Sequence, residues 1–256
     1  MDVLEHDELS RAEALVARVA LGPRREWNPD VAIRYLPIVR VVRAHGLADA
    51  VTEVGSGSVG IGPYLRRPFT GVDTALPTPR HRLLEPVEAS VLETGFAPRS
   101  RPCVVSTDML EHLPRGQRQA AVTELVRIAG ALLVLAVPCG AAAEAHDRET
   151  AELFRQVRGV DHRFLLEHVE HGLPTAEELH GYVLEALRAK ARTATLRVVP
   201  NASLRVRRFV MRRWIRRRLV DQVGWLVLTW LSAFLARRNR GPCYRQIVIV
   251  EFTDGA

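Results

Sequence analysis

The sequence predicts an α/β fold on a mostly parallel sheet, and three observations lead there. From residue 50 onward, short apolar runs alternate with stretches of helical periodicity, as they do in a parallel sheet covered on both sides. One of those runs, Ala131 to Val137, is apolar throughout, which suits a strand buried on both faces. The first run is closed by an acid, Glu53, and leads into Gly55-Ser-Gly57-Ser-Val-Gly60, where glycines open a helix and let backbone approach a ligand closely.

Taken in order, residues 7–20 have helical spacing, with Leu9, Ala12, Leu15, Val16 and Val19 on one side, and Gly22-Pro23 stops them. Asn28-Pro29 starts a second helix over 29–45, ended by Gly46. Strands are expected at 50–54, 69–73, 103–107 and 131–137, with helices at 59–66 and 115–129 between them. Helix 176–191 follows Thr175, an N-cap with Glu178 three residues on, which is the spacing of a capping box. Residues 194–200 and 246–252 read as a terminal pair of antiparallel strands, separated by a helical insertion where a crossover helix would otherwise stand.

Bulk properties exclude several classes. At 256 residues with 47% hydrophobic and 25% charged content, the chain can bury a full core. Three cysteines, far apart and without a C-x-x-C pair, argue against a disulfide framework or a structural zinc site. The acidic start, Met-Asp-Val-Leu-Glu-His-Asp-Glu-Leu, lacks the apolar centre of a secretory signal, so a cytoplasmic location is expected, with the inner face of the membrane as an alternative. The net charge of +7 is concentrated. Residues 204–240 hold eleven arginines and one acid, Asp221, so the rest of the chain is mildly acidic. Nucleic-acid binders face their charge across a fold, and none is expected as a partner.

The glycine loop formally fits a dinucleotide fingerprint, and an NAD(P)-dependent oxidoreductase is one alternative. Glu53 stands where a dinucleotide fold keeps an apolar residue. Farther on come Thr70-Gly-Val-Asp73, then Asp108-Met-Leu-Glu-His-Leu-Pro114 after a strand, then a buried strand ending in Val137-Pro138. In that order and spacing the chain resembles class I S-adenosylmethionine-dependent methyltransferases over residues 48–140, and again at the terminal strand. The resemblance implies a Rossmann-like, seven-stranded, mostly parallel sheet with an antiparallel last strand. It implies S-adenosylmethionine as cofactor, with Glu53, Gly55 and Gly57 under its amino-acid part, Asp73 on the ribose hydroxyls, Ala89 and Ser90 beside the adenine, and Asp108 and Met109 flanking the methyl donor. The pattern departs once: the usual third glycine is displaced from position 59, a valine here, to Gly60.

Methyl transfer from a sulfonium is an in-line displacement of an activated donor, so alignment is the main task and no metal is required. A base helps when the acceptor is a hydroxyl or an acid, and His112 is the candidate; its structural alternative is a helix cap. The stretch from Asp161 to Thr175 is rich in histidine and lies where such folds cover the acceptor. His162, His168 and His171 are candidate acceptor contacts. His168 and His171 would share a helical face, with Asp161 or Glu167 as further metal ligands, but exposed histidines are the commoner reading and no metal is expected.

In the basic segment, Val206, Phe209, Val210, Met211, Trp214, Ile215 and Leu219 form one helical stripe bordered by arginines. Residues 223–236 are almost wholly apolar, but fourteen residues make about 21 Å of helix against a hydrocarbon core of roughly 30 Å. A helix lying in the interface of an anionic membrane fits this better than a span, and packing on the domain or in a homodimer is the alternative. The expected division is a helical lid (1–47), a methyltransferase core (48–203), a basic amphipathic insertion (204–240) and a final strand (241–256). The function read from this is methyl transfer, most plausibly O-methylation, to a small-molecule, glycan or lipid-linked acceptor. A non-catalytic partner-binding protein on the same scaffold is the other alternative.

Overall fold

The structure is a computed structural model that describes residue 24, residues 26–216 and residues 219–254, with the side chains of 219–222 outside that description. The expected helix over 7–20 lies outside the described residues. Helix α1 (Pro29–Ala44) begins where Asn28 caps it, accepting from the Asp30 and Val31 N–H groups, with Pro29 in the first turn. Then follow β1 (Val51–Val54), α2 (Gly62–Leu65), β2 (Phe69–Asp73), β3 (Leu84–Glu88) and β4 (Arg101–Thr107). A single turn of 3-10 helix (Leu110–His112) leads to α3 (Arg115–Ile128) and β5 (Ala129–Pro138). Beyond β5 come α4 (Ala141–Arg158), α5 (Arg163–His171), α6 (Ala176–Ala189), β6 (Ala194–Ser203), α7 (Leu204–Arg216), α8 (Leu219–Leu235) and β7 (Cys243–Phe252).

The strands form one seven-stranded sheet in the order β3-β2-β1-β4-β5-β7-β6. Neighbours from β3 to β5 pair in parallel, while β7 runs antiparallel to both β5 and β6. This is the expected architecture, including the antiparallel last strand. Leu132 to Val137 of β5 are wholly buried, as an all-apolar central strand requires. One face is covered by α1, whose Tyr35, Ile38, Val39 and Val42 meet Val51, Val105, Val134 and Ile249. The other carries α3 and α6, where Leu125 and Val183 pack with Val104, Leu133 and Val248. Thr175 and Glu178 complete the capping box at the start of α6.

Two expectations change in detail. The helix expected over 59–66 shortens to Gly62–Leu65, because Gly57 and Gly60 adopt left-handed backbone and the chain turns there before it can wind. The stretch between β5 and α6, expected only as a polar, histidine-rich connection, holds α4 and α5, and much of the face they bury is polar: His146, Asp147 and Thr150 in α4 and His168 in α5.

The strand order reverses between β1 and β4. Chain crosses away from that seam in both directions, a topological switch point at whose carboxyl ends open α/β sheets form a ligand-binding crevice.

Candidate active site

The glycine loop forms one wall of the crevice. Gly55, Gly57 and Gly60 have φ of +82°, +55° and +50°, a region L side chains avoid. A Cβ at Gly55 would stand 2.6 Å from Met109 Cγ, so the loops after β1 and β4 approach this closely only because residue 55 has no side chain. A Cβ at Gly60 would overlap the Glu53 carboxylate. The glycine displaced from position 59 is therefore needed where it stands. Glu53 is fully enclosed and accepts the Ile61 N–H at 2.7 Å. Burial pushes its carboxyl up to about 7, against the Tyr35 hydroxyl and the Ile61 N–H, which favour the ionised form. Glu53, expected in the loop under the amino-acid part of the cofactor, clasps that loop from beneath.

Asp73 stands at the rim of the loop. One carboxylate oxygen accepts the Gly57 N–H at 2.8 Å and the other accepts the Thr74 N–H at 2.8 Å, and the residue stays partly exposed. Ala89 N–H donates to the Asp73 carbonyl at 3.0 Å, bringing the end of β3 alongside. The Ser90 hydroxyl accepts from Leu92 N–H at 3.1 Å in the turn beyond. Gly55, Gly57, Asp73, Ala89 and Met109 thus meet at the carboxyl ends of β1 to β4.

Asp108 differs from its expected role. Its carboxylate receives a two-pronged hydrogen bond from Arg245 of β7 and lies 3.1 Å from Arg34 Nε of α1. Burial opposes ionisation, yet Arg245 and Arg34 hold the group well below the usual carboxylate range. The side chain, expected beside the methyl donor, is committed to protein partners. From here a buried network spreads across six elements. Asp30 pairs with Arg34 at 3.5 Å and with Arg207 at 3.0 Å. Arg207 reaches Asp147 of α4 at 4.0 Å and lies over the Tyr244 ring. Asp147 accepts from the Tyr244 hydroxyl and pairs with His168 Nδ1, both at 2.8 Å. Three guanidiniums here face three aspartates, and such pairs are costly to break from one side.

The network ends beside Glu111, His112 and His168. One ligand-capable atom from each lies within 4.8 Å of the others. Glu111 is fully buried, and neither carboxylate oxygen has a hydrogen-bond partner. Burial raises its carboxyl to about 8, helped by the charge of Asp108 and opposed by His168. Burial lowers His112 to about 4, with His168 adding to the effect and the 2.8 Å bond to Glu167 opposing it. The imidazole is thus unprotonated at neutral pH and a weak base. Burial works against His168 as well, but Asp147 and Glu111 hold it above its ordinary value.

The candidate acceptor residues divide. His168 points into this cluster. His162 caps α5 and packs its ring against Phe154, Phe164 and Trp214. The His171 backbone carbonyl accepts from Arg115 and from the buried Arg118, which fastens the end of α5. Asp161 lies exposed outside the cluster, whereas Glu167 holds His112. A sequence reading misses Arg34, Asp147, Arg207, Tyr244 and Arg245. Arg207 alone carries a signal, since it shares a helical face with Val210 and Met211.

The basic segment departs from its expected stripe. In α7, Arg207, Val210, Met211 and Ile215 are buried while Phe209 is exposed, so one arginine belongs to the core rather than to a solvated rim. In α8, Leu228, Thr229, Ser232 and, just beyond the helix, Ala236 face inward, leaving Val223, Val227, Trp230, Leu231 and Phe234 exposed as one apolar stripe. Arg24 lies over the Trp230 ring at 4.3 Å. Among the described residues, no helix is long and apolar enough to cross a membrane.

No family model and no curated protein matches the sequence. Solved structures do. Phosphoethanolamine N-methyltransferase 2 of Haemonchus contortus, in complex with phosphomonomethylethanolamine and S-adenosylhomocysteine, is similar at 12% identity and a TM-score of 0.51, over 97% of this chain and 59% of that one. Magnesium protoporphyrin IX methyltransferase of Synechocystis PCC 6803, with bound S-adenosylhomocysteine, is similar at 12% identity and a TM-score of 0.46, over 90% of this chain and 86% of that one. Together with the strand order, the first of these establishes a class I methyltransferase fold.

Proposed function

We propose that this protein transfers a methyl group from S-adenosylmethionine to an oxygen of a small-molecule, glycan or lipid-linked acceptor. The observation that carries the reading is the crevice at the sheet's switch point. The left-handed glycine loop and Asp73 form one wall, and the 108–112 connection forms the other. The residues fit an adenosyl sulfonium. Gly55 and Gly57 hold left-handed backbone that brings the loop against Met109 on the donor side, and Asp73, which accepts the Gly57 N–H, presents a carboxylate to a ribose diol. Bound there, S-adenosylmethionine supplies an activated methyl on a positively charged sulfur. The chain's own part is to hold the ribose at Asp73, keep the loop in shape through Glu53, and orient the acceptor from the side of His112 and His168.

Calorimetry with S-adenosylmethionine tests this. Uptake by the wild type and about tenfold weaker uptake by Asp73→Ala are expected, the loss of one charge-assisted hydrogen bond. Absence of uptake by folded protein, equal uptake by Asp73→Ala, or preference for NADH or NADPH in the same assay would each refute it.

A lipid-linked acceptor at an anionic membrane surface is supported by the exposed apolar stripe of α8, with Arg237, Arg238 and Arg240 following it. Deleting the segment would not test this cleanly, because α7 is keyed into the core through Arg207 and Ile215. The double variant Val223→Glu/Val227→Glu alters the outward face of α8 at its two most exposed apolar positions apart from Phe234. Flotation with vesicles containing anionic lipid is expected for the wild type and lost in the variant. Flotation unchanged by the variant would refute the membrane reading. So would a homodimer in solution that the same two changes dissociate.

A further inference from the structure

We propose that Glu111, His112 and His168 bind one first-row divalent cation, which holds an oxygen of the methyl acceptor. The cation site stands by itself, while the acceptor's role rests on the methyl-transfer reading above.

The first argument is geometric. Ligands bonded at about 2.1 Å to one cation lie about 3–4 Å from each other, and the atoms offered here fall within 4.8 Å, with His168 Nε2 and Glu111 Oε1 at 3.9 Å. That separation is too long for a hydrogen bond, so the two do not satisfy one another. Both Glu111 oxygens and His168 Nε2 are buried without a partner. Buried polar atoms almost always have one, and two orphaned carboxyl oxygens beside an orphaned imidazole nitrogen are a set of donor atoms that a cation would satisfy.

The second argument is the outer shell. His168 is held at Nδ1 by Asp147 and His112 at Nδ1 by Glu167, each at 2.8 Å. His168 thereby presents Nε2 to Glu111, and on His112 Nε2 is the nitrogen that Glu167 leaves uncommitted. A carboxylate on the far nitrogen of each histidine is the usual arrangement around a metal. Arg34, Arg207 and Arg245 are taken up by Asp30, Asp108 and Asp147, so among the described residues no guanidinium pairs with Glu111, which faces His168 Nε2 at 3.9 Å. Two imidazoles and one carboxylate favour manganese, iron, cobalt or zinc over magnesium or calcium.

The cluster sits on the turn that follows Asp108, next to Met109, which contacts the glycine loop. His112 keeps 22% of its side chain exposed and forms the open side. The ligand class is therefore an acceptor with a hydroxyl or paired hydroxyls that can enter the remaining coordination positions. A coordinated hydroxyl loses its proton to water more readily. Its oxygen then forms the new bond to the methyl carbon as the carbon–sulfur bond breaks. The electron pair stays on sulfur and the sulfonium leaves as a neutral thioether.

Chelator-treated protein titrated with Co²⁺ and Mn²⁺ provides the test, read by the visible cobalt spectrum and by calorimetry. One equivalent is expected, with affinity falling by more than about tenfold in Glu111→Gln and in His168→Asn, and by about tenfold in Asp147→Asn. Glu111→Gln breaks no hydrogen bond to another described residue, so it should remain folded and report on the site alone. No uptake by the wild type, or uptake undiminished in Glu111→Gln, overturns the inference. Cation uptake without S-adenosylmethionine uptake would leave the site standing and remove the methyl-transfer reading. The converse result would remove only the site.

Discussion

The two walls of the crevice are built by different means. The wall after β1 is mostly backbone: three left-handed glycines, a carboxylate clasping an N–H, and Asp73 sixteen residues from the Gly57 amide it accepts. The wall after β4 is mostly side chain, drawn from α1, the 108–112 connection, α4, α5, α7 and β7 through three arginines, three aspartates and His168. Backbone walls arise from local conformational rules. Side-chain walls exist only when distant elements dock, and they carry the larger electrostatic stakes.

If that contrast is right, the largest effect should come from the second wall. Arg245→Met strands Asp108 with Arg34 alone in the interior. Chemical denaturation should record a loss of about 3–5 kcal/mol, and a loss within measurement error would mean that the network is not the structural unit described. In the first wall, Gly55→Ala should bear mainly on the ligand. Left-handed backbone costs an alanine about 1–2 kcal/mol, and contact with Met109 should weaken S-adenosylmethionine uptake by more than about tenfold. A normal calorimetric trace would show that the loop is not a cradle.

The smallest effect sharpens the comparison by pH. Glu53 has a folded pKa of about 7 against an ordinary value of 4.5. Between those values the folded state holds a proton that the unfolded state has released, so this residue's contribution is full below pH 4.5 and declines as pH rises through 7. Glu53→Gln lacks the titration. The stability of the wild type relative to the variant should therefore fall across that window, measured by urea denaturation at a series of pH values. A pH-independent difference would mean that Glu53 is ionised throughout.

Much of the fold was legible before any coordinates. Alternating runs marked β1, β2, β4 and β5, the capping box marked α6, and Gly55, Gly57 and Asp73 lie together as their spacing implied. The helices α4 and α5 were not legible, because much of the face they bury is polar: His146, Asp147 and Thr150 in α4 and His168 in α5. The burial of Arg207 was not either. Arginines in a run read as a solvated face, and only the presence of Asp30 and Asp147 from other elements makes the core acceptable to one of them. His168 was singled out by composition, but its partners Asp147 and Glu111 lie 21 and 57 positions earlier in the chain.

The sequence by itself determined the sheet, its antiparallel ending and the glycine wall, since periodicity, caps and left-handed turns act over a few residues. The tertiary structure alone decided which carboxylates are neutralised, which are left over, and which histidine faces which acid. Those outcomes depend on desolvation and on charges brought within a few ångströms by docking, and neither quantity exists until the chain has folded.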